Sequence, residues 1–229
     1  MSFLTLNWQG MVVALFIGLL LLYFGGTIGY LLVLWMAFFL VLSAIVTKIG
    51  VKKKLKLGVA QQDRGIKNVI ANALAPIFFT LLLFYSIHLS YINNEYSTYI
   101  LYAFIASVAA ITADKFGSEI GVLGKHPRMI FTFKKVKPGT SGGVSILGIA
   151  AGMFSSIIVV SLIFFSYSIS TNSHFSLIIP ILVSFFGLVG SIIDSMLGYF
   201  EEKGYGNKYT SNFFASLISG LLILLIFVV

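Results

Sequence analysis

The chain has 229 residues, of which 59% are hydrophobic and 10% charged, with a net charge of +8 and no cysteine. Soluble domains carry roughly a quarter charged residues, so this composition excludes a water-soluble globular protein. The missing thiols exclude disulfides, thiolate zinc sites and cysteine nucleophiles. In a membrane chain the basic excess is read from its placement along the loops, and no nucleic-acid partner is expected.

Apolar runs of the roughly 17 to 25 residues needed to cross a bilayer recur from end to end. They predict an all-α, polytopic transmembrane helical bundle with about seven spans in a single integral membrane domain. The expected spans cover about residues 3–24, 30–47, 69–90, 98–114, 144–170, 175–198 and 211–229, with functional loops at 48–67, 115–143 and 199–210. The opening MSFLTLNWQG has no basic n-region and no small-residue cleavage pattern after it, so no removable signal is expected. Trp8 suits an interfacial anchor for the first span, and the cluster from Gly25 to Gly29 favours a tight turn before the second. A re-entrant hairpin is the other reading of these two stretches. The third run carries Pro76, which a membrane helix tolerates when its neighbours satisfy the freed backbone groups.

When the loops alternate between the two sides, lysine and arginine number seven after span two, six in the central loop and two after span six, and none elsewhere. All fifteen therefore fall on one side, which the positive-inside tendency assigns to the cytoplasm, leaving the C-terminus outside. Six of the seven acids (Asp63, Asp114, Glu119, Asp194, Glu201 and Glu202) share that side, with Glu95 opposite. Such a distribution suits a polar substrate arriving from the cytoplasm, although a plain orientation signal explains the lysines equally well.

The segment ADKFGSEIGVLGKHPRMIFTFKKVKPGTSGGVSILG, Ala113 to Gly148, concentrates charge and glycine between two apolar runs. Asp114 closes the fourth span and Asp194 lies inside the end of the sixth. A charge costs roughly 2.5 to 3.5 kcal/mol at a helix centre on insertion scales, less near the interface, so two of them ask for a reason. One reason is a carboxylate hydrogen-bonded between helices or paired with lysine. The other is a pair of carboxylates that holds a hard cation, or serves as metal ligand and general base. Glu119 would sit about 140° around a continuous helix from Asp114. It joins the same side only if Gly117 breaks that helix.

Arg64, Asn68 and Asn72 recur every four residues and form one stripe at the entrance of span three. The stripe is either an interhelical hydrogen-bonding ladder or an arginine gripping phosphate beside amides that position an oxygen ligand. Arg128, Lys134, Lys135 and Lys137 precede Pro138, Gly139, Thr140, Ser141, Gly142 and Gly143. On glycine content alone this is a plain turn. With four cations and two intramembrane acids nearby, it is read as a phosphate cradle leading into a helix. It is not a P-loop, since no Gly-Lys-Ser or Gly-Lys-Thr ends it. His88, His126 and His174 have no clustered partners and suggest no zinc site.

At RGIKNVIAN, ADKFGSEIG, PRMIFTFKKVKPGTSGGVSILG and GSIIDSMLG the chain resembles a family of multispanning proteins. That family includes the plant plastid phytyl-phosphate kinase and archaeal, bacterial and animal relatives. The resemblance implies a CTP-dependent kinase that converts a prenyl monophosphate, such as phytyl, farnesyl or geranylgeranyl phosphate, to the diphosphate. It implies Mg²⁺ held by Asp114, Asp194 and Glu119, with Asp114, Asp194 and Lys135 as catalytic groups. Phosphates would be held by Arg64, Arg128, Lys134, Lys135, Lys137 and the turn Thr140, Ser141, Gly142 and Gly143, and Asn68 and Asn72 would complete either shell. The competing readings are a transporter of an anionic or phosphorylated solute and a nucleotidyltransferase acting on a lipid phosphate.

Overall fold

The computed structural model describes residues 5–60, 65–88 and 94–228. It is an all-α bundle. α1 (Trp8–Phe24) begins at Trp8, later than the expected residue 3, because Asn7 is extended and caps the helix, its side chain accepting the Gly10 N–H at 2.8 Å. A short 3₁₀ turn over Gly26–Ile28 leads into α2 (Gly29–Lys48). The expected basic loop holds a short helix, α3 (Val51–Lys56), before α4 (Ile66–His88). Next come α5 (Asn94–Gly121), α6 (Ile146–Thr171), α7 (Ile178–Glu201) and α8 (Lys208–Val228).

Six of these helices are long and apolar enough to cross a membrane, and α1 is a shorter apolar one with 17 residues. Together they make the expected bundle of about seven spans.

α5 is the central element and packs against α2, α4, α6, α7 and α8. Its run from Leu101 to Ala113 is buried almost without interruption and is rich in alanine, so neighbouring backbones approach closely where hydrophobic driving force between helices is weak. Hydroxyl groups tie the bundle across helices: Ser156 Oγ donates to Ser184 O at 2.8 Å, Ser219 Oγ to Phe186 O at 2.8 Å, and Trp35 Nε1 to Ser166 Oγ at 2.9 Å.

At 28 residues, α5 is roughly 42 Å long and overruns the roughly 30 Å hydrocarbon layer. The expected fourth span stopped at residue 114. The helix instead passes through Gly117 without a break, because that glycine is a contact point with α6: Gly148 lies so close that a Cβ on it would meet Gly117 O at 2.8 Å and Gly121 Cα at 3.1 Å. Ser145 fastens the same junction. Its hydroxyl donates to Gly121 O at 3.1 Å while accepting the Gly148 N–H at 3.1 Å as the N-cap of α6. Between α5 and α6 the central loop folds into a small antiparallel pair, β1 (Arg128–Met129) with β2 (Gly143–Val144).

Candidate active site

One helix contact sets the centre of the site. On α7, a Cβ at Gly190 would meet Ala110 Cβ of α5 at 2.5 Å. One turn further along each of these helices stand Asp114 and Asp194. The glycine–alanine contact therefore fixes the register that brings the two carboxyl groups side by side in one cluster. Both line a cavity of about 130 Å³ between the ends of α5 and α7 and the start of α6.

The glycine turn forms another wall of this cavity, which Lys137 and residues 138 to 143 line. Gly142 has φ +72°, and a Cβ there would fall 2.5 Å from Tyr199 N; Gly198 presses back, with its missing Cβ 2.5 Å from Gly142 N. Only two glycines allow this backbone-on-backbone seat. The turn is more self-satisfied than an open anion cradle: Thr140 N–H donates to Lys137 O at 3.2 Å and Gly143 N–H to Thr140 O at 3.0 Å. Ser141 N–H donates to Glu202 Oε1 at 3.0 Å, so a carboxylate oxygen already occupies the direction expected for phosphate.

The other expected residues separate into groups. Glu119 does not join the aspartates. It is 4% exposed and accepts from Lys54 Nζ and Lys115 Nζ, both at 2.5 Å, and from Thr47 Oγ1 at 3.0 Å. The unbroken helix at Gly117 is the reason, since it keeps Glu119 around the side of α5. Lys134 and Lys135 are exposed on the hairpin, where Lys135 pairs with Arg128 across an isolated bridge and Lys134 O accepts from Met129 N–H at 2.9 Å. Arg128 Nη1 reaches Phe133 O at 3.3 Å. None of these three lines the cavity, and Lys137 does.

Asn72 stands behind the aspartates. The Asn212 amide, oriented so that its nitrogen donates to Asp194 Oδ1 at 3.1 Å and Lys208 O at 3.0 Å, gives up the alternative bond from that nitrogen to Asn72 Oδ1, and Asn72 packs in one small cluster with Asn212 and both aspartates. Pro76, one turn on from Asn72, has no N–H to give its carbonyl. Asn68 lies one turn ahead of Asn72 and faces an apolar groove. Arg64 lies outside the described residues.

The description "integral membrane protein DUF92" matches residues 1–224 of the chain. The chain belongs to this family. It is 32% identical over 221 residues, 96% of its own length and 84% of the relative's, to an uncharacterised membrane protein of Methanocaldococcus jannaschii. It is 35% identical over 181 residues to Protein PGR of Arabidopsis thaliana and 30% identical over 160 residues to the chloroplastic Protein VTE6 of the same plant. These matches cover 72% and 68% of the chain and 62% and 46% of the two plant proteins. No solved structure matches the chain. Archaeal and plastid relatives are the kinds of protein that the four sequence motifs point to, and the family description makes the chain an integral, multi-pass membrane protein.

In this DUF92 protein two residues of the site escape a reading by segments: Glu201 and Lys208, which line the cavity beside Asp114 and Asp194. Both fall in the stretch 199–210 that reads as a polar loop, yet one ends α7 and the other opens α8. The signal is a spacing. Glu201 follows Asp194 by seven residues and Lys208 precedes Asn212 by four, which puts each pair on one helix face. The Ser211 hydroxyl donates to Glu201 Oε1 and holds that carboxylate in place.

Among the described residues no group of three or more histidine, aspartate or glutamate side chains has the arrangement of a metal cage. The Asp114–Asp194 pair nevertheless fits Mg²⁺, which is commonly bound by one or two carboxylates together with substrate phosphates.

Proposed function

We propose that this protein is a prenyl-phosphate kinase, transferring the γ-phosphoryl group of CTP to a prenyl monophosphate at the cytoplasmic end of its helices. The observation that carries the reading is the single pocket in which the Asp114–Asp194 pair meets Lys137, Lys208 and the Ser141–Gly143 turn. Phosphoryl transfer between two phosphates brings highly anionic groups together, so positioning and charge compensation matter more than a protein nucleophile. Lys137 and Lys208 supply positive charge from two sides, and the Ser141 hydroxyl adds a donor, while that of Thr140 is engaged with Lys137 O at 2.8 Å.

An oxygen of the prenyl phosphate attacks the γ-phosphorus of the nucleotide. The bond from that phosphorus to the β–γ bridging oxygen breaks, its electron pair leaves with CDP, and no proton need move. Because the acceptor is already an anion, neither aspartate is needed as a strong base, and both remain free to be cation ligands. Asp114 and Asp194 would hold Mg²⁺, which when bound supplies charge neutralisation for the phosphates. The Asn212 amide orients Asp194 through its 3.1 Å hydrogen bond.

The one-sided placement of lysine and arginine supports a cytoplasmic pocket and an outside C-terminus. The pocket's position at helix ends rather than mid-bundle favours chemistry over alternating access, whose sites lie near the bilayer midplane.

The test is purified protein with Mg²⁺, prenyl monophosphates of several chain lengths and each nucleoside triphosphate in turn. The expected result is prenyl diphosphate and CDP in equal amounts, with CTP the best donor. Release of pyrophosphate instead identifies a nucleotidyltransferase, and movement of a phosphorylated solute without nucleotide consumption identifies a transporter; either overturns the reading.

A further inference from the structure

Larger than the polar pocket is an apolar groove of about 770 Å³ between α1, α2 and α4. Small residues hollow it out: Ala14 and Gly18 on α1, Ala37 on α2 and Ala73 on α4. At Gly18 an added Cβ would meet nothing within 4 Å. The two carboxamides lining the groove, Asn68 and Asn72, both come from the first two turns of α4. That end of α4 adjoins the aspartates, since Asn72 packs in one small cluster with Asp114, Asp194 and Asn212.

We propose that this groove holds the hydrocarbon chain of the lipid acceptor, with the phosphate-bearing end turned toward Asn68 and Asn72. The inference rests on the kinase reading and adds where the lipid lies. An apolar concavity with a few polar groups at one end is the usual form of a site that orients an amphipathic ligand. Here the polar end adjoins the phosphate pocket through Asn72, which shares one small cluster with Asp114, Asp194 and Asn212. The groove thus offers hydrocarbon surface to the tail of the acceptor, and Asn72 at its polar end adjoins the carboxylate pair. A bulk lipid chain or a second copy of the protein would have no reason to align with those amides.

Two measurements test this. In the first, a twenty-carbon prenyl monophosphate bearing a photoreactive diazirine on its tail is irradiated with the purified protein in nanodiscs, and labelled peptides are mapped by mass spectrometry. Labelling of α1 and α2 that unlabelled prenyl monophosphate competes away is expected. Labelling centred on α6 and α7, labelling that only bulk phospholipid suppresses, or protein–protein crosslinks through α1 would each overturn the proposal. This readout needs no turnover, so it stands apart from the kinase reading, which fails if the wild-type protein forms no diphosphate.

In the second, Gly18→Phe fills the groove from its open side. The ratio of kcat/KM for the twenty-carbon over a five-carbon monophosphate should fall at least about tenfold, the scale on which a filled apolar pocket discriminates chain length. An unchanged ratio in a folded variant overturns the proposal.

Discussion

Five residues separate Asp114 from Glu119 on the same helix, and the bundle treats the two acids in opposite ways. Glu119 is buried between Lys54 and Lys115 with Thr47 as a third donor, so its charge is satisfied from within the protein. Asp114 stands beside Asp194 in the wall of the polar pocket, which Glu201 also lines. Among the described residues the ion pairs within 4 Å are the two made by Glu119, and neither aspartate has one. A carboxylate paired in this way fastens helices, whereas two adjacent carboxylates at the wet rim repel each other and favour a bound cation. Sequence position does not distinguish the roles; direct pairing with lysine does.

The sharpest way to break this comparison is to neutralise one acid on each side of it. Asp114→Asn or Asp194→Asn should lower prenyl-phosphate turnover at least about a hundredfold, the size of effect seen when a preorganised electrostatic group is removed, with thermal unfolding in detergent little changed. Glu119→Gln should do the reverse in kind. It leaves two lysines without their shared partner and should destabilise the protein by about 3–5 kcal/mol, seen as a lower Tm, while activity per folded molecule survives. If Glu119→Gln kills turnover without lowering stability, the acid belongs to the chemistry after all.

Smaller effects sharpen the picture of the pocket walls. Gly198→Ala would push a methyl group against Gly142 N and should cost about 1–3 kcal/mol of stability, as overpacking does, together with reduced turnover as the turn shifts. Lys208→Met should raise the KM for nucleotide by about tenfold through loss of one charge-assisted contact, measured by initial rates. Lys135→Ala should change kcat/KM by less than about twofold, since it lies on the exposed hairpin and surface substitutions of this kind are usually near neutral.

The spans could be read from the chain because a bilayer imposes length and composition on each helix, and isolated acids stand out in such runs. The Asp114–Asp194 neighbourhood was legible for that reason. The fate of Glu119 was not. Its partner Lys54 lies 65 residues earlier, in a stretch that reads as a solvated basic loop but folds as α3 and buries that lysine to 1% exposure. The basic run at 134–137 misled in another way: residue types alone do not show that the loop sets Lys135 beside Arg128 and brings Lys137 to the glycine turn, leaving Lys134 and Lys135 outside the pocket. Lys208 was hidden by a segment boundary, since the end of one helix and the start of the next looked like a loop.

The hairpin that turns Lys135 away from the pocket also holds Phe133 outward, 69% exposed at the tip of the central loop. With no native thiol anywhere in the chain, a single cysteine at that position would carry a fluorophore or spin label without background. The probe would ride on the same segment as Lys137 and Gly142, so its signal would follow nucleotide binding in real time, independently of product formation.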